Sequence, residues 1–542
     1  MTKNSRRSVL QILPAALFAG RCVADEKGKT AEKGKTAEKG EAAEKGKGNQ
    51  NFQGPPHYLV GPTRSVRNTA PNGLVALWPG PQLFVDDYLV LNQEGLAKTT
   101  HHPRRVPHPV VNSKDFGAWQ WYLTVLRDPE RNIFRMWYDA WVHDPGSKGA
   151  THLALAESKD GIEWYAPSFK ILGDNNHVWA LEGYGASIID EGPAFADKAR
   201  RFKMAYLDEA PGKRGLGVMF SPDGLRWKPY EKNPVLSGEY PEDDYRWTHS
   251  LGDTMETFWD PLRGRYGLLG KTKAIPQDGW QRVKASRGLR RLVSSSVSRD
   301  FLHWEMPWRI IVPEPRDEGQ PEFVGAAAVM CRGGLLIGVA RVLHDDYSAD
   351  PGGTVAGIGY SQIITSRDGE SWERHDDILL NRNLEPGTWD HAMSWISSQL
   401  IVGDETFCYY AGARSGHKVN PATERQIGLA RMRRDGYVSR DAFGPDPGWL
   451  MTPLVKSERF AAFTVNAEAS RGEVRVQVRD HRLQVVPGFS FAECTPLRGD
   501  GLQQQVRWSN ATVNKLEGLP IYLEFRVTDA RLYGFEFSKT AG

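Results

Sequence analysis

Short strand-like runs recur between about residues 120 and 445. The runs come in pairs that resemble hairpins: Tyr122–Leu126 with Phe134–Trp137, Ala186–Ile189 with Phe202–Tyr206, Met255–Trp259 with Tyr266–Leu269, Ala326–Met330 with Leu335–Ala340, and Trp395–Val402 with Thr406–Tyr410. A further strand-like run follows each pair: His152–Glu157, Gly215–Phe220, Leu292–Val297, Gly359–Thr365 and Ile427–Met432. The pattern therefore predicts five similar β units.

The motif S-x-D-x-x-x-W follows four of these units. Its copies are Ser158-Asp160-Trp164, Ser221-Asp223-Trp227, Ser298-Asp300-Trp304 and Ser366-Asp368-Trp372, and Arg433-Arg434-Asp435-Gly436-Tyr437 is a degenerate fifth copy. Aspartate followed by glycine is typical of a turn, and the tryptophan is large enough to pack between neighbouring units. The four copies are spaced by 63, 77 and 68 residues, a length that suits one four-stranded blade. The repeat therefore predicts a five-bladed β-propeller over residues 80–445.

The chain after residue 445 alternates without the motif and predicts a second domain. Its candidate strands are Ala462–Asn466, Glu473–Arg479, Gly501–Trp508 and Pro520–Val527. Such a series is typical of a β-sandwich, which we place at residues 447–540. The expected fold class is all-β, a five-bladed propeller followed by a C-terminal sandwich.

Residues 1–24 predict a signal peptide. Arg6 and Arg7 precede the short apolar run 12–20, which is typical of the twin-arginine type, although an ordinary secretory signal is the alternative. We therefore expect an exported protein, periplasmic or extracellular. Residues 25–50 repeat A-E-K-G-K-T without large apolar residues and predict a disordered low-complexity linker.

Composition excludes some classes of function. No apolar run among the 542 residues approaches the length of a membrane span. The 69 Lys and Arg balance 66 Asp and Glu without a basic block, so nucleic acid is not an expected partner. Cys331, Cys408 and Cys494 show no metal-binding or C-x-x-C spacing, and we expect neither a metal nor a cofactor. The oligomeric state stays open.

Several phrases carry a family resemblance. They are the S-x-D-G-x-x-W motif, Asn233-Pro234-Val235-Leu236, Leu83-Phe84-Val85-Asp86-Asp87-Tyr88 and Leu532-Tyr533-Gly534-Phe535. Residues 80 to 540 thereby resemble exported bacterial proteins similar to family 32 and family 43 glycoside hydrolases. The resemblance implies a carbohydrate substrate, and acidic residues at the starts of the innermost strands that project into a central funnel.

Arg127-Asp128-Pro129 looks like the R-D-P signature of family 32. It falls, however, where a blade turns from its first strand to its second, as Asp260-Pro261 does in a later blade. We interpret it as a turn.

The resemblance nominates the acids that lead into the first strands as catalytic: Glu182, Asp253, Glu322 and Asp390. Blade one departs from the family pattern, because Asp115 lies several residues early and Gln120 stands closer to the strand. A modified mechanism, or no catalysis, therefore stays open. We expect Asp253 and Asp390 to face a common funnel and at least one to be needed for glycoside cleavage.

Aromatic and imidazole side chains near the same strand starts are candidates for binding the sugar, because aromatic faces bury the apolar faces of pyranose rings. These candidates are Trp119, Trp121, Trp179, Trp247, His249, Trp389 and His391. Packing between blades is the alternative for the tryptophans, and a structural role is the alternative for the histidines.

The sequence thus favours an exported glycosidase that acts on a poly- or oligosaccharide. A non-catalytic carbohydrate-binding propeller is the first alternative. A glycoside phosphorylase or a sugar lyase is the second, and Arg246 and His249 near Asp253 would suit the phosphorylase. The sugar, the linkage and the stereochemical outcome stay open.

Overall fold

The computed structural model describes residues 63–141, 151–181, 183–210, 214–237, 251–274, 290–317, 320–419, 421–458 and 461–539. Strands make up 55% of the described residues and helices 4%, which confirms the all-β prediction. No helix in these ranges is long and apolar enough to cross a membrane. The predicted signal peptide and linker lie outside the described residues.

The first strands are short. They are β1 (Val75–Ala76), β2 (Gln82–Leu83), β3 (Asn92–Glu94), β4 (Ala97–Thr100) and β5 (Arg104–Arg105). The one-turn helix α1 (Ser113–Phe116) follows, with Asn112 accepting a hydrogen bond from the Asp115 backbone at its start and Gly117 at its end, where φ is 65°.

Five groups of antiparallel strands follow, and we call them blades I to V; a parallel bridge between Gly359 and Met393 joins the last two into one eight-stranded sheet. Blade I comprises β6 (Ala118–Asp128), β7 (Ile133–Trp141), β8 (Thr151–Ser158) and β9 (His177–Leu181). Blade II comprises β10 (Gly183–Asp190), β11 (Phe202–Asp208) and β12 (Gly215–Ser221), with β13 (Lys228–Pro229) and β14 (Leu236–Ser237) both paired to β12. Blade III comprises β15 (Met255–Asp260), β16 (Arg265–Ala274), β17 (Arg290–Ser298) and β18 (Trp308–Ile311).

Blades IV and V complete the series. Blade IV comprises β19 (Glu322–Arg332), β20 (Leu335–Ser348), β21 (Ala356–Ser366) and β22 (Glu373–Leu380). Blade V comprises β23 (Met393–Val402), β24 (Glu405–Ala413) and β25 (Gln426–Arg433), with the short helix α2 (Pro421–Glu424) between the last two strands. Its fourth strand is β5, which pairs with β25 through Arg105 opposite Ala430. A strand that precedes blade I thus completes blade V and covers its edge.

The innermost strands form a closed ring. In order, β6, β10, β15, β19 and β23 each contact the next, and β23 returns to contact β6. This arrangement is the five-bladed propeller that the repeat predicts. Because all five strands begin at one end of the ring, residues that precede them are brought together from positions some 60 to 70 residues apart.

The S-x-D motif forms the turn after the third strand of blades I to IV. In each copy the serine Oγ accepts a hydrogen bond from the backbone N–H three residues later, at 2.8–3.0 Å, in Gly161, Gly224, Phe301 and Gly369. Those four residues have φ between 68° and 77°, a region that favours glycine, and Phe301 is the exception. The aspartate Oδ1 accepts hydrogen bonds from the backbone N–H groups two and three residues later. The turn prediction is confirmed.

The motif tryptophans pack between blades, as predicted. Trp164 of blade I meets Tyr409 of blade V with ring centroids 5.9 Å apart, and Trp372 of blade IV meets Phe258 of blade III at 6.0 Å. The turn of blade II also accepts a hydrogen bond from blade I, where Trp137 Nε1 donates to Gly224 O at 2.8 Å. Each turn is therefore part of an interface between blades.

Arg127-Asp128-Pro129 lies in the hairpin from β6 to β7, in agreement with the turn interpretation. Asp128 Oδ1 accepts hydrogen bonds from the Glu130 and Arg131 backbones at 3.0 and 3.1 Å. Asp260 holds the Leu262 backbone in the same way at 3.1 Å. Both aspartates lie at the ends of innermost strands, opposite the strand starts.

The C-terminal strands form a curled sheet. They are β26 (Val438–Ala442), β27 (Gly448–Met451), β28 (Val455–Lys456), β29 (Ala462–Asp480), β30 (Leu497–Gln505), β31 (Ile521–Thr528) and β32 (Ala530–Ser538), and the 3-10 turn Val513–Leu516 lies between β30 and β31. The long β29 pairs with β30 and β32 through its first half and with β31 through its second, so the sheet folds over a core that includes Phe463, Phe525 and Phe535.

Strands β1 to β4 hydrogen-bond to this last sheet rather than to a blade. They pair with β28, β32, β27 and β26 respectively. The sequence places residues 80–100 within the propeller, whereas their pairing assigns them to the sandwich sheet. Strands of two to four residues carry too little alternation to reveal their partner in advance.

Candidate active site

The strand starts meet at one end of the ring, which we call the funnel mouth. We define it by Tyr122, Asp253, Lys271, Arg291, Asp345 and His417. These residues come from the start of β6, the segment before β15, the end of β16, the start of β17, the end of β20 and the loop after β24. In antiparallel blades the end of a second strand lies beside the start of the first and third strands, so these positions share one face of the propeller.

Asp253 forms an ion pair at the funnel mouth. Lys271 Nζ donates a hydrogen bond to Asp253 Oδ1, and the Asp253 side chain remains 34% exposed. Burial raises the pKa of Asp253, but the charge and hydrogen bond of Lys271, aided by Arg291, outweigh it and hold the pKa well below its usual range. Asp253 is therefore a carboxylate across the physiological range, which suits a nucleophile or base rather than a proton donor.

Arg291 joins two buried carboxylates. Its Nη1 lies 2.5 Å from Glu322 Oε2 and 3.0 Å from Asp345 Oδ2, and its backbone N–H donates to Glu322 Oε1 at 3.0 Å. The side chain of Glu322 is fully buried. The structure thus gives the nominated Glu322 the contacts of a counterion for Arg291, with no exposed oxygen.

His417 is held by Asp345. Its Nδ1 donates to Asp345 Oδ1 at 3.0 Å, and its ring lies 6.0 Å from the Trp121 ring and 5.6 Å from that of Trp395. Burial lowers the pKa of His417 to about 4, so the imidazole is neutral near pH 7. The side chain of Lys418 projects beside it, with Nζ 4.0 Å from Asp345 Oδ2.

A second layer of acids lies below the mouth. Asp139 of β7 is buried and accepts a hydrogen bond at Oδ2 from the Gly185 backbone at 2.9 Å, and burial raises its pKa to about 7. Glu256 of β15 lies 2.7 Å from Arg341 Nη2, and burial raises its pKa as well. Neither residue was nominated, because neither precedes a first strand.

Asp390 is placed differently from Asp253. Its Oδ2 accepts hydrogen bonds from Arg105 Nε and the Tyr410 hydroxyl, both at 2.8 Å, and its side chain is 1% exposed. Arg105 also donates to Ser394 at 3.2 Å. The expectation that Asp390 opens onto the same funnel as Asp253 is corrected here, because the fourth strand of blade V supplies an arginine that draws the carboxylate into the blade.

The described aromatic and imidazole candidates make packing and hydrogen-bond contacts within the protein. Trp121 is buried between Trp395 and His417, with the Arg425 guanidinium 4.4 Å above its ring. Trp179 packs with the core between blades I and II. Trp389 stacks on Tyr410 at 5.5 Å.

His391 is held on both sides, by Asn383 O at 2.8 Å and by Asp350 Oδ1 at 3.0 Å. Glu182, Trp247, His249 and the side chain of Trp119 lie outside the described residues. Whether any nominated residue contacts sugar stays a prediction.

Beyond the second layer of acids, formed by Asp139 and Glu256, the ring encloses an axial channel. It has a volume of about 210 Å³ and its walls come from all five innermost strands, including Thr124, Ser187, Thr257, Val329 and Ser398. Across the described ranges, no three His, Cys, Asp or Glu side chains lie close enough together to hold a metal ion.

Comparison with solved structures finds similar architectures. One similar structure is a glycoside hydrolase with 14% identity, which covers 61% of this chain and 91% of its own at a TM-score of 0.41. A GH32 beta-fructofuranosidase of Bombyx mori shows 11% identity, with 81% and 94% covered and a TM-score of 0.37. A beta-fructofuranosidase of Schwanniomyces occidentalis, complexed with fructosyl-erythritol, shows 11%, with 80% and 98% covered and a TM-score of 0.38.

No family model and no curated protein matches the chain. The chain resembles these glycoside hydrolases, and their low identities leave its substrate and chemistry open.

Proposed function

We propose that the chain is an exported glycoside hydrolase that cleaves an oligo- or polysaccharide at the funnel mouth, with Asp253 as its essential carboxylate. One observation carries the proposal. Among the nominated acids that the structure describes, Asp253 is 34% exposed at the start of an innermost strand, while Glu322 and Asp390 are 0% and 1% exposed. A group that reacts with substrate must be reachable, and Asp253 meets that condition.

The state of Asp253 fits one half of glycoside cleavage. An ionised carboxylate attacks the anomeric carbon or activates the water that does so, while a second, protonated carboxyl group donates to the leaving oxygen. For the proton donor we retain Glu182, which directly precedes β10, the neighbour of β15 in the ring. Export rests on the arginine pair and apolar run of residues 1–24.

The test is the variant Asp253→Asn, which keeps the size of the side chain and removes its charge. We expect the release of reducing sugar, measured on a glycan that the wild type cleaves, to fall by about a thousandfold or more, as for removal of a catalytic nucleophile or base. The melting temperature should stay within a few degrees of wild type, because the carboxylate is partly exposed. Asp404→Asn, in an exposed hairpin of blade V, serves as the matched control and should keep full activity.

Full activity of Asp253→Asn would contradict the proposal. Glycan binding without cleavage by the wild type would favour the carbohydrate-binding alternative instead.

A glycoside phosphorylase is the second candidate, and the cations beside Asp253 favour it. Lys271 contacts the carboxylate directly and Arg291 acts on it electrostatically. In phosphorolysis, inorganic phosphate takes the place of water and the product is a sugar 1-phosphate. Turnover that requires phosphate would identify this reaction.

A further inference from the structure

The charges at the funnel mouth do not balance. Lys271, Lys273, Arg291, Lys418 and Arg425 are electrostatic neighbours there, whereas the acidic residues among them are Asp253, Glu322 and Asp345. The neutral His417 adds no charge. The described part of the mouth therefore carries more positive than negative charge, on a chain whose overall charge is close to balanced.

Lys273 is the cation with the weakest compensation. In the ladder between β16 and β17 it lies directly opposite Arg291, and Lys271 is two residues away on the same face of the strand. Lys271 has Asp253 as its partner, and Arg291 has Glu322 and Asp345. Lys273 makes no ion pair with any described carboxylate, although it is only partly exposed.

The surroundings of Lys273 also affect its pKa. Burial, together with the positive charges of Lys271 and Arg291, lowers the pKa of Lys273 to about 8, and Asp253 offsets only part of this. Like charges are costly side by side in a partly buried site unless a counterion joins them. An arriving anion would relieve this repulsion.

We propose that the funnel mouth binds an oxyanion beside Asp253, with Lys273 as its principal contact and Lys271 and Lys418 contributing to the field. This inference rests on the proposed function, since it takes the mouth as the substrate site. The ligand chemistry is a carboxylate, sulfate or phosphate group. Its source is either an acidic sugar unit of the glycan or free inorganic phosphate.

The experiment measures binding of three probes by titration calorimetry: D-glucuronate, inorganic phosphate and, as the matched neutral sugar, D-glucose. Wild type should bind at least one anion about tenfold or more tightly than glucose, and added salt should weaken that binding. Lys273→Met should lose about tenfold in affinity for the anion, the equivalent of one charge-assisted hydrogen bond, and Lys273→Arg should retain it. Lys456→Met, which removes an exposed lysine of the sandwich, is the control and should bind as wild type does.

The two anionic probes distinguish the sources. Preference for glucuronate indicates an acidic glycan, and preference for phosphate, together with turnover that depends on it, indicates phosphorolysis. Equal binding of the anions by wild type and Lys273→Met, or glucose bound as tightly as both anions, would overturn the inference.

Failure of this inference differs from failure of the proposed function. Asp253→Asn should keep anion binding while losing turnover. Cleavage of a neutral glycan with no anion preference would overturn the oxyanion site alone.

Discussion

The two ends of the propeller use carboxylates in different ways. At the turn end, the motif aspartates bind backbone N–H groups two and three residues away in their own turns. At the funnel mouth, two ion pairs join different blades: Arg291 of blade III binds Glu322 of blade IV, and Asp345 of blade IV binds His417 of blade V. The turns are held by hydrogen bonds within a few residues, whereas these two pairs of the mouth form only when neighbouring blades pack together.

The electrostatics of the two ends differ accordingly. Backbone hydrogen bonds outweigh burial at the turn end and lower the pKa of the motif aspartates, as at Asp223. Near the mouth, two acids are shifted in opposite directions, Asp253 downward by Lys271 and Asp139 upward by burial. The mouth and the buried layer below it therefore hold carboxyl groups whose pKa values are shifted apart.

Replacing Asp390 gives the largest stability effect that we expect. Asp390→Asn leaves the Arg105 guanidinium without its buried counterion and should lower the free energy of unfolding by about 3 kcal/mol, near the lower end for a broken buried pair because Arg105 is 25% exposed. Urea unfolding measures it. Glu405→Gln, which breaks the exposed pair with Arg431 in the same blade, should cost less than about 1 kcal/mol.

The same variant also tests the catalytic nomination of Asp390. If Asp390→Asn is as stable as wild type but has lost glycan cleavage, Asp390 acts in catalysis at the funnel mouth. Lower stability with activity retained at low temperature would place it with the supporting residues of blade V.

The raised pKa of Asp139 predicts a pH dependence of stability. Between about pH 4 and pH 7 the unfolded chain has released this proton while the folded protein still holds it, so wild type loses stability relative to Asp139→Asn as the pH rises. At about 1.4 kcal/mol for each pH unit up to the folded pKa, the gap should grow by about 3 kcal/mol from pH 5 to pH 8. Urea unfolding of both proteins at the two pH values measures it.

Asp223→Asn is the matched control at the turn end. The pKa of Asp223 is lowered, so its contribution is present above the unfolded value of 3.8 and is lost only as the pH falls below it. Its gap from wild type should therefore stay constant between pH 5 and pH 8. A constant gap for Asp139→Asn as well would show that Asp139 is ionised in the fold.

The difference between contacts within one turn and contacts between distant residues also explains what the sequence could predict. Ser221, Asp223 and Trp227 lie within one turn, so their spacing alone predicts the turn and the packing between blades. Asp253 was accessible to prediction because it directly precedes a strand. No local signal marks Asp345 and His417, which lie 72 residues apart and meet through the ring.

Asp390 shows what could not be predicted from the sequence, namely the orientation of a side chain. The sequence places Asp390 before a first strand, as the structure does, but the direction of its side chain depends on Arg105, which lies 285 residues earlier in the two-residue strand β5. Position along a blade was thus predictable, and orientation was not.

Removing one motif hydroxyl gives the smallest change in the free energy of unfolding that we expect. It also tests whether the turn end is independent of the funnel mouth. Ser221→Ala leaves the Gly224 N–H without its acceptor at 2.9 Å and removes the contact with Asp223 Oδ1 at 3.0 Å, so it should cost about 1–2 kcal/mol in urea unfolding. Ser295→Ala is the matched control: Ser295 is also buried in a third strand, but its Oγ has no hydrogen-bond partner among the described residues, so the cost should be near zero. Because Asp223 and the backbone remain, glycan cleavage at the opposite end should be unchanged in both variants. Lost cleavage in Ser221→Ala at a temperature where it stays folded would show that the two ends are coupled and that the comparison between them fails.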